Sequence, residues 1–447
     1  MKSKLALLTV LLGAFAFVGA APAAGAPATQ CAPTAAYPAA TTPVAFWSTE
    51  ARCAIVPAGP GGVFGPENFG NKFPGEAAVL MGIVHVAIYD AAVAIEGGYK
   101  PYAPPPSAPA DTSPEAAIAT AAYGTLIGLQ PQLGLTASQL AILDGDYAAY
   151  LASVRDDAAK LNGISVGAQA AQAVLARRVN DGRGCSTTLQ DLGQPAPGPG
   201  VWQPNATGPV LGLCLPGMRP LALRRASQFR PGPPFRLTSR AYAADFDQVK
   251  ELGRDTSASR TPEQTAQAKF WTDHDIRQWN DGMLRLAADR GLDLVQTARM
   301  LTMAHVAGGD AMIACFDAKY HYWFWRPFQA IPQADTDGNP ATAADPTWLP
   351  LGGTPNFPEY PSAHACHSGG VVRALQSFFG TDRVPFSLDS RITHTTTQYE
   401  RLHEVVEDVD AARVLVGFHF LNSDLQGSKL GRKVGEYVAD HYFRSTR

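Results

Sequence analysis

The sequence predicts an all-α fold of two packed helical bundles, roughly residues 70–180 and 239–445, with long Pro/Gly-rich loops between and around them. Three observations predict it. Apolar residues recur at helical spacing through most of both segments. Alternating β-branched runs are scarce. Glycine and proline, 42 and 36 of the 447 residues, gather between the periodic stretches. A chain of this length, 46% hydrophobic and 17% charged, buries one large core or two medium ones. A single irregular helical domain is the alternative architecture.

The N-terminus reads Met1-Lys2-Ser3-Lys4, an apolar run from Leu5 to Val18, then small residues through Ala26. This is the pattern of a cleavable signal peptide over residues 1–26, shorter than the roughly 20 apolar residues of a bilayer span. The expectation is a secreted or periplasmic protein with no membrane span after signal removal. The formal charge of −3 becomes more negative once Lys2 and Lys4 are lost, so no basic footprint for nucleic acid exists.

Residues 27–70, rich in Pro, Gly and Ala, are expected to wrap the surface. A helix follows from Glu76 to Glu96, stopped by Gly97-Gly98, and Ser113 is placed to cap the next, with Glu115 in its first turn. Two more helices fit 136–161 and 165–179. Residues 180–235 break the pattern and read as a long ordered loop or interdomain crossing, dividing the chain into 27–235 and 236–447. Periodicity resumes at 239–253, and Thr261-Pro262-Glu263 opens another helix with proline in its first turn. Helices then fit 275–290, 293–325, 363–379 and 403–442.

Six cysteines in an exported chain are expected to pair. Proximity favours Cys31 with Cys53 and Cys185 with Cys214, leaving Cys315 with Cys366 to tie two helices. No Cys-x-x-Cys cluster suggests a zinc site. Asp335-Thr-Asp337-Gly338-Asn339 opens like a calcium loop but puts Pro340 and Pro346 where glycine and glutamate are needed, so it reads as a turn.

The chemistry gathers between Lys319 and His419. Lys319 and Arg326, seven residues apart, fall nearly on one face of a helix turning about 100° per residue, and Pro327 places Arg326 near its end. Pro361-Ser362-Ala363-His364 reads as a loop-to-helix junction with Ser362 as N-cap; its free amides suit an anion, and His364 is a general acid near neutrality. Arg413 and His419 lie six apart, on different faces unless the helix breaks near Gly417; Asp424 is a possible partner orienting the His419 ring. Any one of these alone is ordinary: a solvated cation, a cap, a core histidine. Together they are what a site needs to hold a tetrahedral oxyanion.

Lys319 with Arg326-Pro327, Pro361-Ser362-Ala363-His364, and Arg413 with His419, in that order, resemble the signature of the vanadium-dependent haloperoxidase and type 2 phosphatidic acid phosphatase superfamily. Phe324-Trp325-Arg326-Pro327, Phe357-Pro358-Glu359-Tyr360-Pro361-Ser362 and Gly417-Phe418-His419-Phe420 are most similar to its secreted bacterial haloperoxidase-like branch, and the resemblance extends from Glu76, through Val84-His85-Val86-Ala87-Ile88-Tyr89-Asp90, to the C-terminus. It implies a vanadium chloroperoxidase/acid phosphatase-like fold with 236–447 as the catalytic bundle. It further implies that Lys319, Arg326, Ser362, Arg413 and the Ala363 amide hold the oxyanion, that His364 is the acid–base residue, and that His419 is the vanadate ligand or, in phosphatase members, the nucleophile. Asp424 matches the acidic residue after that histidine with one residue extra. Ala363 stands for the usual glycine and Ala412 for the serine before the arginine.

The implied activity is a secreted haloperoxidase using vanadate, hydrogen peroxide, a halide and an organic acceptor, with Phe316 and Phe357 as possible walls of a halide pocket. The alternatives are a phosphatase acting on a phosphate ester through phosphohistidine, and an oxyanion-binding protein without turnover. No nucleotide cofactor is implied.

Overall fold

A computed structural model describes residues 42–59, 68–205 and 208–446. The expected signal segment, Cys31 and part of the 27–70 stretch lie outside the described residues. Among the described residues the fold is all-α except for one antiparallel hairpin, β1 (Phe386–Ser390) with β2 (Thr395–Tyr399), which helical periodicity does not foresee.

Six helices form the N-terminal half: α1 (Pro43–Ile55), α2 (Pro74–Glu96), α3 (Pro114–Gly128), α4 (Gln130–Leu133), α5 (Ala137–Ser153) and α6 (Ala158–Arg177). Helix α1 corrects the expectation of a surface wrap. Thr42 caps it, proline opens it, and Val44, Trp47, Ala51, Ala54 and Ile55 are fully buried. Helix α2 is apolar on all sides and buried, so it lies in the core. At 23 residues it is long and apolar enough, by length and composition, to cross a bilayer. Ser113 and Gly97 end or begin their helices as expected.

The second half holds α7 (Arg240–Leu252), α8 (Pro262–Phe270), α9 (Asp275–Asp289), α10 (Leu294–Tyr322), α11 (Pro327–Ala330), α12 (Ala363–Phe379), α13 (Leu402–Leu415) and α14 (Leu421–His441). The halves share one core: α2 packs along α10, and a single cluster of buried residues runs from Val44 to Phe443. A buried polar seam crosses it. His85 of α2 stacks on His305 of α10 at 4.4 Å; Ser48 of α1 bridges His85 to Asn280 of α9, which also pairs with His305.

The 180–235 crossing is ordered by specific ties. Asp310 of α10 accepts the amides of Leu221, Ala222 and Leu223 at 2.6–2.8 Å. The Trp202 amide donates to the Trp323 carbonyl, and the Trp325 amide to that of Gly200. Cys185–Cys214 is bridged and Cys53 is disulfide-bonded, whereas Cys315 and Cys366 are free and buried, correcting the third expected pair. The Cys315 thiol points to the Pro361 carbonyl at 3.5 Å. Asp337 accepts from the Asn339 amide and the Thr342 hydroxyl, serving the turn itself.

Helices α12 and α14 touch backbone to backbone. Gly427, Gly431 and Gly435 form a four-residue repeat on α14, and a methyl group on them would stand 2.7, 2.1 and 2.5 Å from the carbonyl oxygens of Ser362, Cys366 and Gly370. Small residues at this spacing let two helix backbones approach closely. This contact sets the distance between the elements that carry Ser362 and His419.

Candidate active site

Four pieces of chain converge on Lys319, Arg326, Arg413 and His419. Lys319 sits in the last turn of α10, which Trp323 ends in the left-handed conformation (φ 52°). The chain then runs extended into Arg326, immediately before α11. The helix face that their spacing predicts for Lys319 and Arg326 is therefore not formed; the bend after Tyr322 brings them together instead. Likewise α13 ends at Leu415, and Gly417 (φ 81°) turns the chain so that His419 precedes α14.

All three cations are buried. Lys319 Nζ donates to the Pro358 and Glu359 carbonyls at 2.9 and 2.8 Å. Arg326 donates from Nε to the Phe357 carbonyl and from Nη1 to the Phe418 carbonyl, leaving Nη2 without a partner. Arg413 Nη1 holds the Trp271 carbonyl while its Nε is unpartnered. Burial pulls Lys319 down to about 8, Arg326 to about 9 and Arg413 to about 10, with Cys315, Glu359 and Asp424 respectively the leading opposition. The Phe357 ring stacks under both Lys319 (4.9 Å) and Arg326 (4.7 Å). Phe316 lies behind Phe357 at 5.1 Å, against Phe73.

His419 occupies the middle. Its Nδ1 pairs with Glu359 Oε1 at 2.9 Å, and Arg326 Nη1 approaches Nε2 at 3.4 Å. Burial first, then Arg326, Lys319 and Arg413, hold the ring well below its ordinary value, so it is neutral. The expected partner, Asp424, is not at this ring: its carboxyl faces Ser362 and Arg413, and burial and Asp410 push it well above the usual range. Asp424 lies in the first turn of α14, which carries its carboxyl to the α12 side.

Ser362 takes the N-cap position of α12, with its side chain making no capping bond. His364, in the first turn, is half-buried, its Nε2 unpartnered. Burial, then Arg413, lowers it to about 3, so in this state it is a neutral imidazole and not the near-neutral acid its ordinary value suggested. One turn on, His367 Nδ1 lies 3.2 Å from Asp275 Oδ2 of α9. Burial works against ionisation of Asp275, but His367 and His364 outweigh it and hold the carboxyl low.

Residues 299–447 match the family model of the VCPO second helical-bundle domain. This likeness covers the C-terminal third of the chain. Vanadium chloroperoxidase of Curvularia inaequalis is 30% identical over 149 residues, 28% of this chain and 24% of the relative, so the chain spans about a quarter of the length of that curated relative. The fold resembles that of a bacterial vanadium-dependent iodoperoxidase (TM-score 0.71, 22% identity, 92% of this chain and 100% of the other). It also resembles a bacterial vanadium-dependent chloroperoxidase in its apo form (0.65, 15%, 83% and 94%) and holo form (0.63, 17%, 83% and 92%).

Sequence reading overlooked three buried side chains at this site. Glu359 was visible inside the Phe357–Ser362 block as a carboxylate among apolar and aromatic neighbours. Asp275 and His367 carried no local signal beyond their residue types; only the packing of α9 on α12 joins them.

Proposed function

We propose that the protein is an exported vanadate-dependent haloperoxidase that uses hydrogen peroxide to oxidise halide, with 236–447 as the catalytic bundle. The observation that carries this reading is His419: its Nδ1 pairs with Glu359 Oε1, and its Nε2 lies in the positive field of Arg326, Lys319 and Arg413. The unpartnered Arg326 Nη2 and Arg413 Nε, with His364 Nε2 nearby, fit a tetrahedral oxyanion, which takes up hydrogen-bond donors in all directions. His419 would hold vanadate through Nε2. Lys319, Arg326, Arg413, Ser362 and the Ala363 amide would hold its oxygens. Bound vanadate supplies the activation of peroxide toward halide.

The chain's own contribution is electrostatic and positional. The cations offset developing negative charge, and burial excludes water. His364 Nε2 accepts a proton from an incoming peroxide, and a bound anion opposes the Arg413 charge that lowers this ring. Phe357, held under two cations, and Phe316 behind it would wall the halide site.

The test is halogenation of a dimedone-type acceptor with iodide, bromide or chloride, with and without vanadate and hydrogen peroxide. Vanadate- and peroxide-dependent halogenation is expected. Release of phosphate from an aryl phosphate, inhibited by vanadate and without halogenation, would replace this reading with the phosphatase one, in which His419 Nε2 attacks phosphorus. Oxyanion binding without either turnover would leave a binding protein.

A further inference from the structure

Glu359 is fully buried in the loop that leads into α12. Its Oε1 accepts from His419 Nδ1 at 2.9 Å and from the Phe420 amide at 3.1 Å; its Oε2 accepts from the Ser423 hydroxyl at 2.6 Å. Its own amide donates to the Phe324 carbonyl, and its carbonyl accepts from Lys319 Nζ at 2.8 Å. One residue thus links the end of α10, the stretch entering Arg326, the ring of His419 and the first turn of α14.

These bonds leave one tautomer of His419. With Glu359 ionised, both of its oxygens only accept, so the ring nitrogen that shares Oε1 with the Phe420 amide carries the hydrogen. On the other side Arg326 Nη1, also a donor only, points at Nε2, which must offer its lone pair. A carboxylate accepting from the distal nitrogen of a ligand histidine fixes the ring and makes the ligating nitrogen more basic.

We infer that Glu359 is the positioning residue of His419: it fixes the Nδ1–H tautomer and aims a basic Nε2 at the oxyanion, so the pocket favours an oxyanion whose central atom accepts a nitrogen lone pair over one held by hydrogen bonds alone. The inference rests on the reading of His419 as the atom that bonds vanadate. Asp424, on the Ser362 and Arg413 side, does not supply this contact.

The experiment uses the full chain with Glu359→Gln and Glu359→Ala, titrated at equilibrium with orthovanadate and separately with inorganic phosphate. In Glu359→Gln the Phe420 amide keeps the side-chain oxygen beside Nδ1 and turns the amide nitrogen toward Ser423, so the tautomer survives while the charge is lost. Vanadate affinity should fall by about 10- to 100-fold, the usual effect of losing such a partner, with phosphate affinity nearly unchanged. In Glu359→Ala the Nδ1–H has no partner, and vanadate affinity should fall further. Nitrogen-15 histidine NMR of the vanadate-free protein, with the His419 signals assigned through His419→Ala, should show the Nδ1–H form in the parent and in Glu359→Gln. Equal loss of both anions in Glu359→Gln would mean that the residue only supports packing and would overturn the inference. So would unchanged vanadate affinity in both variants, or an Nε2–H ring in the parent. If the parent fails to bind vanadate at all, the proposed function fails, while the NMR result still decides whether Glu359 sets the ring.

Discussion

Replacing Gly431 with alanine tests whether the α12–α14 contact sets the geometry of the site. The added methyl would stand 2.1 Å from the Cys366 carbonyl oxygen, and side-chain carbons essentially never approach below 3.0 Å, so the helices must part by about 0.9 Å. The atom in the way is backbone, and so is its next neighbour, the Gly370 amide nitrogen at 2.7 Å, leaving no flexible side chain to yield. Overpacking of this kind costs ~1–3 kcal/mol. The larger effect falls on function. Helix α12 carries Ser362 and His364, α14 follows directly from His419, and a misplacement of about 1 Å between reacting groups costs on the order of 10²-fold in rate. Urea denaturation gives the first quantity, and kcat/KM for vanadate-dependent halogenation the second. Gly145→Ala, on the exposed face of α5 with nothing near the new methyl, serves as control and should gain ~0.5–1 kcal/mol. A Gly431→Ala protein with the stability and activity of its parent would refute the argument that this close approach positions the site.

His419→Ala should abolish vanadate binding together with activity. His364→Ala should retain binding and lose roughly 10²–10⁴ in turnover, and equal loss of binding in both titrations would reverse the roles. Glu50 is buried beside Asp146, and burial, then that neighbour, raise it from 4.5 to about 8. A raised carboxyl favours the folded state fully below 4.5 and loses that contribution as pH climbs through about 8. The melting temperature of the parent should therefore fall over this window, and Glu50→Gln should flatten the fall; a parallel decline in both proteins would remove Glu50 as its cause. Cys185 and Cys214 are 29 residues apart, so replacing both with serine should cost about 3–4 kcal/mol by loop entropy, read from urea midpoints.

Local rules read from the sequence hold wherever the local chain decides. Ser113 and Thr261 cap their helices with their side chains, and Gly97 ends α2. Where tertiary packing decides, sequence reading fails. Trp323 adopts a left-handed conformation that bulky side chains rarely take, so the face shared by Lys319 and Arg326 was drawn on a helix that stops too soon. Sequence reading offered Asp424 as the partner of the His419 ring, and the packing of the 357–362 loop puts Glu359 there instead. The state of His364 depends on burial and on Arg413, neither of which spacing reveals. Helix α1 is hidden by its Pro/Ala-rich surroundings, although Thr42-Pro43 carries the same start signal as Thr261-Pro262.

The segment shared with the family model begins at residue 299, five residues inside α10, and it is not a body that could be lifted out. Cut there, α10 would lose α2 along its length, Asp310 the three amides it gathers, Arg413 the Trp271 carbonyl, and the stretch entering Arg326 its backbone partners at Gly200 and Trp202. Transplanted into another scaffold, the motif residues would arrive without the neighbours that hold them. A chimaera joined near 299 should therefore be insoluble unless it also carries residues 43–289, the half that contains none of the motif.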